Sequence, residues 1–339
     1  LTKVMICGDI HVRDRAPSNC HDSYTDDIID ILKWTADYCA SEGIKHAIWA
    51  GDVFDFKSPS KNSHALVLKM IGVVRHYIEQ GVELSIVPGN HDLSNDVLDT
   101  IHTKQPLGVL YAAGAHELKG WHPDLPVYGV PWQQTWTTDP ELALLSFEDY
   151  RLAFESLNDT ARVPQWSYDQ PCLVVTHAPI YPPAQVERGV PFDLVDTKRL
   201  ADAMHGHGYL YYGHIHEDHG IFTDGGVTFA NMGAISRGSL HEYNLERTVK
   251  VSVWTDEPGE EGFTEVIVPQ KPASEVFKIE SASLAKAEKM NLNQFLTSVG
   301  SASLDISTTA SVVAHLRELN DVPEEVITRA VDFLEAVDA

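Results

Sequence analysis

The chain is short of positive charge. Its 25 Lys and Arg stand against 49 Asp and Glu, a formal net charge of −24 over 339 residues. That balance speaks against a surface that grips nucleic acid everywhere, because nonspecific binding rests on neutralising phosphates with Lys and Arg. Cysteine is scarce too, four in all and none in a CxxC pair, which speaks against a disulfide framework or a thiolate zinc site. Cys7 and Cys172 fall in apolar runs, where cysteine acts as a small hydrophobe. A reducing, cytoplasmic setting is the expectation. No apolar run approaches the length of a membrane span, no leader peptide is visible at the start, and repeats and low-complexity tracts are missing. What remains is an ordinary globular composition, 43% apolar, enough for a substantial core. The length suits one large domain with an appendage, or two domains.

The negative charge is uneven. Residues 1–110 carry 10 basic and 15 acidic side chains, residues 111–250 carry 9 and 18, and residues 251–339 carry 6 and 16. The shortest segment is the most acidic per residue. Arg13, Arg15, Lys57, Lys61 and Arg237 lie close in sequence to the motifs described below. They are candidate substrate-binding groups, with ordinary solvated charges as the plain alternative.

Over the first 110 residues strand and helix patterns alternate. Tyr24 to Ala40 has Ile28, Ile31, Leu32 and Ala36 at helical spacing and is stopped by Gly43; Ala65 to Ile78 is a second helix, closed by Gly81. Such a βαβαβ order implies parallel strands joined by right-handed crossovers. A helix is expected over Leu142 to Leu157, and strands over 172–176, 209–212, 227–231 and 248–254. The last two, with no helix between them, suggest a second, more antiparallel sheet. The polar turn Asp256–Gly262 marks a boundary, giving domain 1–255, a linker 256–275 and a helical region 276–339. There, Ser311 to Leu319 is amphipathic, and a capping box of Asp321 and Glu324 starts a helix with Ile327, Ala330, Val331, Leu334 and Val337 on one stripe. Those stripes must be buried, against their own domain or against a partner.

Five apolar runs end in residues able to hold a metal: Val4–Cys7 before Gly8-Asp9-Ile10-His11, Ala47–Ala50 before Gly51-Asp52, Leu84–Val87 before Gly89-Asn90-His91-Asp92, Leu173–Val175 before Thr176-His177, and Tyr209–Tyr212 before Gly213-His214-Ile215-His216. In open α/β sheets the site lies outside the carboxyl ends of the strands, so five such endings can converge on one rim. Asp9 and His11, two residues apart, project to the same side; His214 and His216 repeat that spacing. Asp52 can bridge two ions, with Asn90, His177 and His214 serving one and His216 completing the other. Mixed oxygen and imidazole donors without thiolate favour Mn²⁺, Fe or Zn²⁺ over Ca²⁺. Two divalent ions about 3.5–4 Å apart clamp a phosphoryl group for in-line displacement. His91, not required as a ligand, is the candidate proton donor to the leaving oxygen, with the Asp55 or Asp92 carboxylate orienting its ring. His219 and His241, near the last motif, are lesser candidates to touch substrate, and the remaining histidines, such as His21, His46, His102 and His116, read as surface residues.

In this order, the five motifs resemble the calcineurin-like metallophosphoesterase superfamily over about residues 3–255. The resemblance implies an α/β fold, a two-layer sandwich of mixed sheets flanked by helices, with a dinuclear centre. One ion would take Asp9, His11, Asp52 and His216, the other Asp52, Asn90, His177 and His214, with His91 as the catalytic histidine. Gly51–Asp55 followed by Ser58-Pro59-Ser60, Gly213–Glu217, and Gly233–Ser239 are most similar to the SbcD-type DNA-repair nucleases of bacteria and phages. Eukaryotic and archaeal relatives tend to carry histidine where this chain has Asp55. That likeness implies a Mn²⁺-dependent exo- and endonuclease acting on DNA, a homodimer, and an SbcC-type coiled-coil ATPase docking on residues 305–337. The competing function is a small-molecule or protein phosphoesterase.

Overall fold

A computed structural model describes residues 2–94, 97–138, 144, 172–186, 195–206, 208–279, 327–329 and 331. Twelve strands run along these residues: β1 (Lys3–Cys7), β2 (His46–Trp49), β3 (Glu83–Ile86), β4 (His116–Glu117), β5 (Gly120–Trp121), β6 (Val127–Val130), β7 (Leu173–His177), β8 (Tyr209–Gly213), β9 (Asp218–Asp224), β10 (Val227–Met232), β11 (Lys250–Thr255) and β12 (Gly262–Ile267). They form two six-stranded sheets, ordered β12-β11-β1-β2-β3-β4 and β5-β6-β7-β8-β10-β9. Both are mixed: β1 to β4 run parallel to the β4 edge with β11 reversed beside β1, and β6, β7, β8 and β10 run parallel with the edge strands β5 and β9 reversed.

The strand period of two decides the layering. Val4 and Ile6 of β1, Ile48 of β2, Val127 of β6, Leu173 and Val175 of β7 and Tyr211 of β8 share one buried cluster between the sheets. The alternate residues of the first sheet meet two helices, α1 (Tyr24–Ser41) and α2 (His64–Glu79). There Trp49 lies edge-on to Tyr77 at 5.8 Å, and the Tyr77 hydroxyl is 2.5 Å from Thr35 Oγ1. α1 buries Ile28, Ile29, Leu32, Ala36 and Cys39 and ends before Gly43, whose φ of 70° only glycine adopts readily. α2 is capped by Ser63, whose hydroxyl accepts from the Leu66 N–H at 3.1 Å. Both helices lie within a residue of their expected bounds. All four cysteines are buried, and none is in a disulfide. No helix among the described residues is long and apolar enough to cross a membrane.

Two expectations change. β10 and β11 do not pair with each other in one new sheet: β10 joins the second sheet and β11 returns to the first, antiparallel to β1. The partner of β10 is β9, across the Gly225-Gly226 turn with both glycines at positive φ, a hairpin geometry that glycine pairs favour. Residues 256–275 are not a bare linker, because β12 within them closes the first sheet's edge on β11. The chain accordingly divides into units Leu1–Phe277 and Lys278–Ala339 rather than at 255. The helix expected over Leu142 to Leu157 and the two expected beyond Ser311 lie outside the described residues, apart from 144, 327–329 and 331.

Candidate metal centre

Parallel strands deliver their carboxyl ends to one rim, and both sheets share it. Asp9 follows β1, Asp52 follows β2, Asn90 follows β3, His177 ends β7 and His214 follows β8. The sheets are tied there by His177 Nδ1–H donating to the Ala50 carbonyl (2.8 Å) and by the His214 N–H donating to Asp9 Oδ1 (3.0 Å). Such close approach leaves no room for side chains on the preceding turns. A Cβ on Gly89 would collide with Asp52, and one on Gly213 with the Ala50 carbonyl. Asp9, His11, Asp52 and His214 themselves hold positive φ of 52°, 46°, 51° and 86°, a backbone state that costs non-glycine residues energy and clusters at functional sites.

Asp52 is the hub. Its Oδ2 lies 3.4 Å from His11 Nε2 and 3.3 Å from His177 Nε2, so two imidazoles approach one oxygen. Its Oδ1 accepts the His91 N–H at 2.8 Å. Ligand atoms of Asp9, His11 and His216 lie within 4.8 Å of one another, as do those of Asp52, His177 and His214. Asn90 Oδ1 is 3.1 Å from both His177 Nε2 and His214 Nδ1. The seven candidate ligands therefore meet at one place, with Asp52 between His11 on one side and His177 on the other. One further group combines His11, Asp52 and His91, which puts His91 beside the ligands.

Electrostatics describe a site that seeks positive charge. Burial disfavours a charged His177, yet Asp52, then Asp9 and the Ala50 carbonyl, lift its pKa to about 9. His11 is likewise raised: burial opposes the charge, and Asp55, Asp52 and Asp9 outweigh it. Asp52 is held well below the usual carboxylate range, its burial overcome by His177, His11 and His91. His214 goes the other way, to about 3, through burial and its cationic neighbour His177. Both His11 ring nitrogens are buried without a hydrogen-bond partner, with carboxylate oxygens no nearer than 3.4 Å. Buried polar atoms normally have partners. A divalent cation would supply a partner for Nε2, which faces Asp52, and this oxygen and imidazole donor set fits one.

His91 projects beside His11, ring centroids 4.9 Å apart. Its Nδ1–H donates to the backbone carbonyl of Asp55 at 2.6 Å, which leaves Nε2 as its acid–base atom. The orienting group is thus a carbonyl, not the expected carboxylate. The Asp55 carboxylate pairs instead with Arg13 Nη1 (3.0 Å) and faces His11 Nδ1 (3.4 Å). Its pKa is lowered, because His11 and Arg13 overcome the cost of burial. Asp92, the other carboxylate expected to orient the His91 ring, is engaged with the backbone instead. It accepts the N–H groups of Val53 and Gly89 (both 3.0 Å) and of Phe54 (3.4 Å), pinning the Asp52 loop to the Asn90 turn. Burial, then Asp52, raises its pKa to about 7.

The expected substrate-binding residues separate. Arg13 and Lys61 both stand over the Phe56 ring, at 4.8 and 5.2 Å, forming a cationic lip beside Asp55, with Arg15 and Lys57 exposed nearby in the chain. Arg237 does not join them. It is buried and donates to the Lys271 carbonyl at 2.6 Å, tying two chain segments together.

Three contributors escaped the sequence reading. Trp132 packs 4.7 Å from the His214 ring; it follows β6 as the ligands follow their strands, so the strand-end rule could have found it. The Asn231 amide donates to the Tyr212 and Ile215 carbonyls (2.9 and 3.1 Å) and holds the His214 loop. Tyr243, with His241, lines a cleft of about 550 Å³ that opens beside His214 and His216. His219 turns away to the Tyr212 hydroxyl, 2.7 Å from its Nδ1.

The chain is similar to a dimetal phosphatase from Danio rerio at 13% identity and a TM-score of 0.47, the likeness covering 80% of this chain and 97% of that one. Residues 2–218 match the family described as calcineurin-like phosphoesterase. That span is well over half of the 339 residues and takes in all seven candidate ligands and His91, so the chain belongs to that family.

Proposed function

We propose that this protein is a metal-dependent phosphodiesterase that hydrolyses DNA as the nuclease subunit of a repair complex. Asp9, His11, Asp52 and His216 would hold one divalent ion, and Asp52, Asn90, His177 and His214 the other, with Mn²⁺ the best match to these donors. When bound, the ions neutralise phosphoryl oxygens and acidify water. The chain's own contribution is positional. Ala50 fixes the His177 tautomer, so that Nε2 faces the centre. Asp55 fixes that of His91, whose Nε2 passes a proton to the leaving oxygen. Asp92 keeps the Asp52 and His91 loops in register.

The observation that carries the nuclease reading is the Arg13–Phe56–Lys61 lip next to the centre, a local positive edge on an acidic chain, suited to phosphate contact. The net charge of −24 favours the second reading, a small-molecule or protein phosphoesterase. Cleavage of linear DNA against p-nitrophenyl phosphate, both with Mn²⁺, separates them. A nuclease cleaves DNA with a steep loss as salt rises; activity on the small ester alone sinks the nuclease reading. The proposed partner is a coiled-coil ATPase seated on residues 305–337. Deleting that segment should abolish co-purification and spare hydrolysis of a chromogenic ester; undiminished co-purification refutes the docking site.

A further inference from the structure

The cleft beside the centre differs in chemistry from the lip. Among the described residues its lining includes Trp132, Tyr181, His241 and Tyr243, continues into His214 and His216, and carries no Lys or Arg and a single carboxylate, Glu217. It is therefore unsuited to the phosphate itself. At about 550 Å³ it lies within the usual range for small-molecule sites. The Tyr243 ring is braced. The Arg247 guanidinium lies 5.9 Å from its centroid and is itself held by the Asn244 side chain (2.8 Å) and the Ser236 carbonyl (2.7 Å). Trp132 is fixed in turn against His214. Rigid aromatic faces beside a phosphoryl site are what a base needs in order to stack.

We propose that this cleft is a nucleobase pocket, which stacks a base attached to the scissile phosphate on Tyr243 and Trp132 while the phosphate faces the metal centre. This rests on the phosphodiesterase reading and adds the substrate class: a nucleoside ester, recognised by stacking rather than charge, which also suits so acidic a chain. The base could belong to a DNA strand or to a free nucleotide.

The test compares thymidine 5′-(p-nitrophenyl phosphate) with methyl p-nitrophenyl phosphate in the Mn²⁺-loaded protein. The ratio of their kcat/KM values should fall about fivefold or more on Tyr243→Ala, the range that stacking one base commands. It should persist in Tyr243→Phe, which keeps the ring and loses only the hydroxyl. Calorimetric binding of thymidine 5′-monophosphate should weaken in parallel. An unchanged ratio and unchanged binding in Tyr243→Ala overturn the pocket while leaving the phosphodiesterase reading intact. Failure to hydrolyse either ester overturns that reading instead, and the nucleotide-binding arm still decides the pocket. A single-stranded oligonucleotide run beside the nucleoside ester identifies the source of the base: an equal loss on both substrates points to any nucleotide, a larger loss on the oligonucleotide than on the ester to a strand.

Discussion

Among the described residues, two clusters of histidine and carboxylate lie at opposite ends of the same strands. One follows the carboxyl ends of β1, β2 and β3. The other sits at the amino ends of β2, β3 and β4, where His46, His116 and His122 surround Glu83 at 4.0, 4.0 and 3.1 Å. By residue type, His46, Glu83 and His122 could also hold a cation. Their proton arrangement differs. His122 Nδ1 accepts the Asp124 N–H at 3.1 Å, so the neutral ring carries its proton on Nε2 and donates it to Glu83. In the candidate metal centre the backbone does the reverse: the Ala50 carbonyl takes the His177 Nδ1–H and leaves Nε2 facing the Asp52 and Asn90 oxygens. Burial lowers the pKa of both His46 and His122, and Glu83 only partly opposes it, whereas Asp52 and its neighbours raise His177 and His11. Donor count alone does not make a metal site. The backbone group behind each ring and the number of carboxylates in front of it decide.

Five substitutions test that contrast. The largest effect belongs to Asp52→Ala. Both expected ions share this carboxylate, so metal content should fall from two per chain towards none, with activity lost; elemental analysis after dialysis against Mn²⁺ reads it, and retention of both ions would overturn the shared-ligand scheme. His91→Ala should slow turnover by about 10²–10⁴ with metal content still near two. Loss of an ion would instead make His91 a ligand, as its place beside His11 and Asp52 permits. Asp92→Ala strands buried N–H groups of Val53, Phe54 and Gly89 and should cost about 3 kcal/mol, seen as a lower urea midpoint together with reduced kcat.

The smallest effect lies at the other cluster. Glu83→Gln should leave the metal content unchanged; a lost equivalent would make the two ends alike after all. His122 there has a pKa below its ordinary 6.5, so the unfolded chain takes up this proton first as pH falls. The stability it contributes is complete above about 6.5 and is lost on acidification below that value. In His122→Gln, the urea midpoint should depend less steeply on pH across that window.

The candidate ligands were legible because each follows an apolar run by two to four residues, and strand ends in a parallel sheet share a rim. α1 and α2 were legible from spacing and from Gly43 and Gly81. Asp92 was misread because a carboxylate next to a catalytic histidine looks chemical, and only the backbone N–H groups around it reveal its use. Arg237 was misread because proximity in sequence to the last motif does not say which way a side chain turns. β9 and β12 went unseen as half-exposed edge strands with weak apolar alternation, although Gly225-Gly226 signalled the turn.

Residue types and their spacing along the chain were enough to determine the parallel strands and which candidate ligands meet at one rim, because these depend on local periodicity and on where strands end; the order of the motifs carried the likeness to the family. Tertiary structure alone decided the tautomer of each histidine, the separation of positioning from reacting carboxylates, and the aromatic cleft. Those follow from atoms far apart in sequence, such as the Ala50 carbonyl behind His177 and the Arg247 guanidinium beside Tyr243 in a cleft shared with Trp132, and from the burial that sets what each charge costs.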